Sequence, residues 1–503
     1  MTRLKTVFTG ALSAQLFSLV SVLLSLAVTP VVVAYLGAGR YGLWLVLTQV
    51  VGYLGLFDVG MRNGLMRFLA QHRTDDEVTS RLVSTGLFGA LVVSAAAAGG
   101  GWLLAAPLAT ALPVDELGAP EVARLIGAQA LWFACQYPLR VVGGVLFVHQ
   151  RQLLSHVIDF GVVAATVAAS LVFLALGLGL WSLVLANYVA LVPHGLALVA
   201  ALRRHFPHLR ISPSRFDLGW LVRTYRFSFF LFLNAFAWLA ISSTDRLIIG
   251  AFESVAAVAA FSLTVRLQEF AQSLIFKLTD NAFPEMVDLD ARGRRGDLAR
   301  LYHGLTAVTV SLSAAAFWMV VTFGETFLTL WVGPEYFAGD LILVLAGAIL
   351  LYHCWHHVGA ILLQGAGLMK TFSLVSLVEA ALNVGLSVVL VRRYGVAGVL
   401  AGTLAAGLLT SGWYTPVRAM RHLGLSAAAA FVRPVLVPAA VVGAAGALLW
   451  LLEREVAAYL PVTWGVLTLS AAVWSVLMLA AAGLGLRELA THAWKAVRSD
   501  PAG

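Results

Sequence analysis

The chain has 503 residues, of which 60% are hydrophobic and only 12% charged, with a mean hydropathy of +0.89. A soluble domain carries about 25% charged residues, so this chain lacks the polar surface to cover a water-exposed globule, and its solvent is lipid. The formal charge of +8 does not call for nucleic acid, because the basic residues sit in short loops between apolar spans, as the positive-inside rule expects. Arg3 and Lys5 precede an apolar run from Val7 to about Leu36, too long for the core of a signal peptide, which makes it the first membrane helix. Windows of about 20 apolar residues, enough to span a bilayer, follow near 42–69, 82–105, 122–148, 157–176, 181–201, 227–250, 255–283, 301–323, 340–363, 371–391, 396–416, 434–452 and 463–486. Fourteen membrane helices are therefore expected. Cys135 and Cys354 lie inside apolar segments, so neither a disulfide framework nor a zinc site is expected.

Loop charge sets the orientation. Alternate loops hold Arg67, Arg73 and Arg81; Arg151; Arg203, Arg204, Arg210 and Arg215; Arg292, Arg294, Arg295 and Arg300; Lys370; Arg418 and Arg421. Both termini fall on that side, which is read as cytoplasmic. An internal repeat is also visible. Gly143 and Gly359 share one offset with Gly179 and Gly395, 216 residues, and Gly37 and Gly250 sit 213 apart. The expected architecture is an all-α membrane protein with two parallel-repeat lobes of six helices and two appended helices. Its divisions are an N-lobe over 1–201, a basic cytoplasmic linker over 202–223, a C-lobe over 224–417, and the last two helices with a tail over 418–503.

The stretch 30–60, PVVVAYLGAGRYGLWLVLTQVVGYLGLFDVG, resembles the opening helix pair of bacterial lipid-linked oligosaccharide flippases. These are the Wzx-type O-antigen and exopolysaccharide repeat-unit exporters of the multidrug/oligosaccharidyl-lipid/polysaccharide superfamily. STDRLIIGAFESVAAVAAFSLTVRL (243–267), AFPEMVDL (282–289) and LLQGAGLMKTFSLVSLVEAALNVGLSVVLVRRYGVAGV (362–399) fit the same group. The resemblance implies lobes around a central cavity that opens alternately inward and outward. It also implies an undecaprenyl-pyrophosphate-linked glycan as cargo, made for lipopolysaccharide or exopolysaccharide, and residence in the bacterial inner membrane. Membrane lipids, a glycan polymerase and the assembly machinery would be its partners. The protein would act as a monomer, without nucleic acid and without a cofactor or metal.

A charge at the centre of a membrane helix costs about 2.5–3.5 kcal/mol, so it usually faces a cavity, a partner or the interface. Asp58 and Arg62 stand four residues apart on one helix face, either meeting the pyrophosphate or forming a structural ion pair. Arg266 and Glu269 lie three apart, roughly 18 Å from the outer end of their helix and so near the midplane. Asp245 and Arg246 sit near the outer end of the preceding span, where snorkelling is cheap. Arg140 is about 14 Å inside its helix, and the repeat offset carries it onto His356. Arg62, Arg140, Arg246, Arg266 and His356 are the candidate cavity cations, since arginine's fork suits phosphate oxygens. Asp58, Glu269, Asp245, Asp159 and Glu379 are candidates for ion coupling or salt bridging, with helix–helix hydrogen bonding as the plainer role of Asp159 and Glu379. His353 and His357 share a helix face, but no nearby carboxylate completes a metal site.

Three other functions compete. A multidrug or toxin cation antiporter of the same fold would show bare acids in its cavity. A membrane polymerase or glycosyltransferase needs a sizeable outer loop with acid/base residues. The longest such loop here, about 106–121 (PLATALPVDELGAPEV), contains no His, Arg or Lys. A scaffold for glycan assembly would use the basic segment 202–223 and Arg292 to Arg295, although anionic lipids already account for these. No GxxxxGK[ST] motif occurs, so the chain is not itself an ATP-driven pump.

Overall fold

The computed structural model describes residues 2–498 apart from 59, 73, 112–116, 150, 427 and 458; the side chains of 2–16, 18, 62, 63, 152, 428–430 and 485–498 are also not among those described. Every regular element among the described residues is helical. Helix α1 (Thr2–Leu54) carries the first two spans, bent at Gly37, whose φ of 72° is open to glycine. A short turn at Gly55–Asp58 and Gly60, at φ 75°, separate it from α2 (Met61–Gln71). Four helices follow: α3 (Asp76–Ala111), α4 (Ala119–Val148), α5 (Gln152–Ala175) and α6 (Trp181–His205).

The second half begins with α7 (Leu218–Phe252), α8 (Val255–Thr264), α9 (Arg266–Asp280) and α10 (Phe283–Ala291). Next come α11 (Arg295–Trp331), α12 (Asp340–Gly365), α13 (Met369–Leu409), bent at Gly395, and α14 (Ser411–Leu423). A π-helical turn, Ala428–Leu436, takes up Pro434 before α15 (Val437–Ala457), and α16 (Trp464–Arg498) ends the chain's helices. Proline cannot donate to the helical ladder, and the wider π turn accommodates it.

Eleven of these helices are long and apolar enough to cross a membrane. Two of the eleven, Leu19–Asp58 and Met369–Leu423, are pairs of spans joined through the bends at Gly37 and Gly395. Counting the segmented pair α8–α9 as one more span gives fourteen among the described residues of this multi-pass membrane protein. The sequence pattern led us to expect one continuous eighth helix over 255–283. Instead the helix deviates at Val265, with φ −83° and ψ −1°, directly before Arg266, although the Val265 amide still bonds the Phe261 carbonyl and the Glu269 amide the Val265 carbonyl, both at 3.0 Å. Just upstream, the Thr264 hydroxyl donates to the Tyr336 carbonyl at 3.3 Å and accepts the Ala338 amide at 3.0 Å.

The chain forms two compact units, one of Met1–Leu239 with Ser254–Ala259, the other of Ala240–Glu253 with Ala260–Gly503. In the first, α3 packs on α4, α5 on α6, and α4 on α6. Its core holds Leu69, Leu82, Val145 and Leu146 in one cluster and Leu43, Leu47, Leu125 and Val184 in another. In the second, α11 packs on α12, and α12 on α13 and α14. Met286, Leu298 and Val358 centre its core, while Phe323, Val442, Trp474 and Met478 bind α15 and α16 to α11. The sequence repeat has a backbone counterpart: Gly179 and Gly395 both turn through positive φ, 55° and 57°.

Segment 206–217 folds onto the first unit. Three hydroxyls of α3 receive its backbone amides: Arg210 donates to Ser80 at 3.1 Å, Ser212 to Ser84 at 3.2 Å and Asp217 to Thr85 at 3.0 Å. Arg215 adds an ion pair with Glu77 at 2.5 Å.

Candidate functional site

Interior polar groups in lipid-embedded helices need partners, because water is not there to serve them. In the second unit such groups converge from α7, α9, α12 and α13 around a cavity of about 90 Å³. Asp245 on α7 is 8% exposed and accepts a hydrogen bond from the Thr403 hydroxyl at 3.3 Å. Asn383 donates its amide to the same hydroxyl at 2.7 Å, and its own carbonyl oxygen is buried without a hydrogen-bond partner. Arg246, one residue along, has a side chain only 11% exposed. It donates from Nε to the Ser262 hydroxyl at 3.1 Å and from Nη2 to Glu269 Oε1. Neither member of this pair reaches for an interface; both are tied inside the unit.

Glu269 faces a second arginine as well. Arg266 Nη1 lies 3.6 Å from Glu269 Oε2. The irregularity at Val265 makes Arg266 the first residue of α9 and puts Glu269 one turn along it. One carboxylate therefore holds two guanidinium groups. Removing it would leave a partly buried cation unpaired, the costly case for charges out of water. Deeper in the cavity wall, Gln268 donates to Gln272 at 2.9 Å, and His353 Nδ1 lies 3.4 Å from Gln272 Oε1.

The remaining candidates of this unit lie apart from that cluster. Glu379 is buried and accepts from the Tyr352 hydroxyl at 2.8 Å and from the Ser411 hydroxyl. These bonds stitch α12, α13 and α14 together. His356 packs against Tyr352 and Phe372, at 5.8 and 5.9 Å between ring centroids, and its Nε2 is buried without a hydrogen-bond partner. His357 pairs with Asp280 at 2.8 Å and stacks on Phe276 at 3.9 Å, so it and His353 address different neighbours. Among the described residues no three His, Cys, Asp or Glu side chains gather as metal ligands would.

In the first unit a groove of about 620 Å³ runs between α4, α5 and α6. Arg140 and Asp159 both line it, together with Gln136, Ser155, His156 and His194. Arg140 donates from Nε to Gln136 at 3.3 Å and lies over the rings of Phe133 and Tyr137, at 5.6 and 5.9 Å. His194 Nε2 is 3.9 Å from Asp159. Asp58 accepts a hydrogen bond from the Tyr137 hydroxyl, which brings it to the edge of the same polar group. Arg62 belongs to α2 by its backbone, but its side chain lies outside the described residues.

Charge balance differs from the simple basic cavity that the arginine count suggested. The second unit's cavity is walled by Asp245, Glu269 and Arg246, with Arg266 beside Glu269; the first unit's groove has Arg140 and Asp159. Sequence reasoning passed over the uncharged members: Tyr137, His194, Ser262, Gln272, Asn383 and Thr403. For one of them a signal existed, because the 216-residue offset carries Tyr137 onto His353.

Comparison with known proteins adds the following. Residues 7–289 match the family described as "Polysaccharide biosynthesis protein", and no curated protein matches the chain. Among solved structures it is similar to the inward closed conformation of the lipid II flippase MurJ, with a TM-score of 0.70 at 10% identity, over 94% of this chain and 99% of that one. It is also similar to an inward-facing multidrug resistance MATE family transporter of the MOP superfamily, with a TM-score of 0.67 at 14% identity, over 82% and 96%. An outward-facing transporter of that family gives 0.56 at 16% identity, over 82% and 94%. At such identities the likeness is one of fold.

Proposed function

The chain belongs to the polysaccharide biosynthesis protein family, and from that premise we propose that it is a flippase for an undecaprenyl-pyrophosphate-linked oligosaccharide. It moves the headgroup from the cytoplasmic to the outer leaflet of a bacterial inner membrane by alternating access, with both termini cytoplasmic. It is a transporter and not an enzyme. It acts as a monomer, alongside a glycan polymerase and the rest of the assembly machinery. The observation that carries the reading is Glu269 between Arg246 and Arg266, at the wall of a polar cavity in mid-span. An incoming pyrophosphate offers more anionic oxygens than one carboxylate, and guanidinium forks grip such oxygens in pairs. Exchange of Glu269 for the headgroup gives binding that is reversible once Glu269 returns.

Each unit has further substrate-binding cations, Arg62 and Arg140 in the first and His356 in the second, and Asp58 competes for Arg62 as Glu269 does for its own arginines. Asp245, Asp159 and Glu379 are the acids for ion coupling. With no ATP-binding motif in the chain, the drive comes from ion gradients, the membrane potential or removal of product. A potential of 100 mV supplies about 2.3 kcal/mol per charge moved, and outward passage of an anion across an inside-negative membrane is favoured.

A second reading, a cation antiporter, draws support from the two carboxylates in the second unit's cavity, Asp245 and Glu269. Flipping of a lipid-linked glycan in proteoliposomes separates the two. We expect flipping, and its loss in both Arg246→Ala and Arg266→Ala with membrane insertion intact. Export of an organic cation that needs Asp245 and ignores both arginines would establish the antiporter instead.

A further inference from the structure

The groove of the first unit is larger and more open than a helix–helix seam needs, and its chemistry is mixed. On α4, Gln136, Arg140, Gly143 and Phe147 fall at successive turns of one face. At Gly143 an added Cβ would meet nothing within 4 Å, so the glycine leaves a gap in that face between the guanidinium and the Phe147 ring. Phe147 is 47% exposed. Across the gap, Ser155 and Asp159 lie one turn apart on α5, and the Asp159 carboxylate is 61% exposed although its helix is strongly apolar. A carboxylate so open within a membrane helix requires a polar surrounding. The groove, with the His194 imidazole opposite, is that surrounding.

We infer that this groove is a saccharide subsite, which holds a sugar ring of the cargo through Arg140 and Asp159 with Phe147 against the ring's apolar face. A sugar hydroxyl both donates and accepts, so it satisfies a guanidinium and a carboxylate in the same site. Phosphate is acceptor-only in its ionised form, and the open Asp159 carboxylate in the same groove repels it. A hydrocarbon chain would desolvate the exposed Asp159 carboxylate and offer it no hydrogen bond in return. An aromatic face next to such groups suits the C–H face of a pyranose ring, which is apolar while its rim is polar. Arg140 is therefore assigned to the glycan and Asp159 is a specificity-determining residue. The source of the sugar rests on the flippase reading; the groove's chemistry does not.

Gly143→Cys provides the test, because its side chain would project into open space. The full-length protein is placed in lipid nanodiscs with Cys135→Ala, leaving Cys354 buried, and the rate of thiol modification by a charged water-soluble reagent is followed. The probes are galactose, N-acetylglucosamine and glucuronic acid, with inorganic pyrophosphate as the comparator. The expected result is a reactive thiol that at least one sugar protects and pyrophosphate does not. Asp159→Asn should then raise the sugar concentration needed for protection by about tenfold, the scale of a lost charged hydrogen bond. Protection by pyrophosphate alone, no protection by any probe, an unreactive thiol, or sugar protection indifferent to Asp159→Asn would each overturn the inference. Glycan flipping is measured separately in the wild type. Flipping without sugar protection removes this subsite and spares the flippase reading; sugar protection without flipping does the reverse.

Discussion

In the first unit Tyr137 donates to Asp58; in the second His353, which the 216-residue offset matches to Tyr137, lies 3.4 Å from Gln272. Matched positions thus meet partners of different charge. A carboxylate occupies the acceptor position in one unit and a neutral amide in the other. The charges of the second unit lie on α7 and α9, where Asp245, Arg246 and Glu269 line a cavity of about 90 Å³ and Arg266 stands beside Glu269. Those of the first stand apart in an open groove of about 620 Å³. The same helical scaffold thus yields one site in which charges restrain each other and one with an exposed carboxylate in a wide groove. On the proposed function, only the first kind would couple binding to the breaking of an internal ion pair.

The sharpest break in this comparison is steric. A Cβ on Gly402 would lie 2.7 Å from the Ser387 backbone nitrogen, whereas on Gly143 it meets nothing within 4 Å. Gly402→Val is expected to abolish folded protein, and Gly143→Leu to express and melt like the wild type while occluding the groove. Size-exclusion profiles and thermal melts in detergent decide both. Next comes Glu269→Gln, expected to lower flipping by about tenfold or more, since it leaves the largely buried Arg246 without its carboxylate. Headgroup binding should outlast flipping in this variant, because both guanidinium groups remain to grip the anion. Asp58→Asn is expected to act likewise through the first unit. Unchanged flipping in both variants would take these acids out of the mechanism.

A smaller loss is expected for Thr403→Val, about 1–3 kcal/mol of stability, because Asp245 loses a donor and Asn383 an acceptor while the shape is kept. A melting temperature equal to that of the wild type would mean that the cluster contributes nothing to folding. Smallest of all is Asp288→Asn, which breaks an exposed pair with Arg292 at 3.0 Å. Stability should stay within about 0.5 kcal/mol, as for most surface ion pairs, and a larger change would show that α10 is held by charge and not by Met286 and Leu289 in the core.

Much of this architecture was legible in the sequence because hydrophobic length and loop charge are strong signals. Fourteen spans were expected, and the structure has them. Gly179 and Gly395, paired by a single offset, both take the left-handed conformation that only glycine adopts freely. The irregularity before Arg266 was not legible, since no proline or glycine marks it; it follows from tertiary bonds of Thr264 to the turn at Tyr336. Likewise, intramembrane charges stand out in a sequence, but their partners are serines, threonines, amides and tyrosines that occur throughout apolar helices. Nothing local tells Thr403, which touches Asp245, from Thr410, which bonds the backbone of Ala406.

The three hydroxyls of α3 that receive the backbone of segment 206–217 bear on the order of biogenesis. Their partners are all in place once residue 217 has been made. Ribosomes add about 5–20 residues per second, and domains generally fold as units during synthesis. Residues 218–503 then take roughly 15–60 s more to appear, ample time for helices one to six to insert and pack. The strap can therefore close over α3 before most of the second unit exists, so a chain truncated after residue 239 and released into the membrane should already resist protease at this segment, and the same chain with Ser80→Ala, Ser84→Ala and Thr85→Val should not.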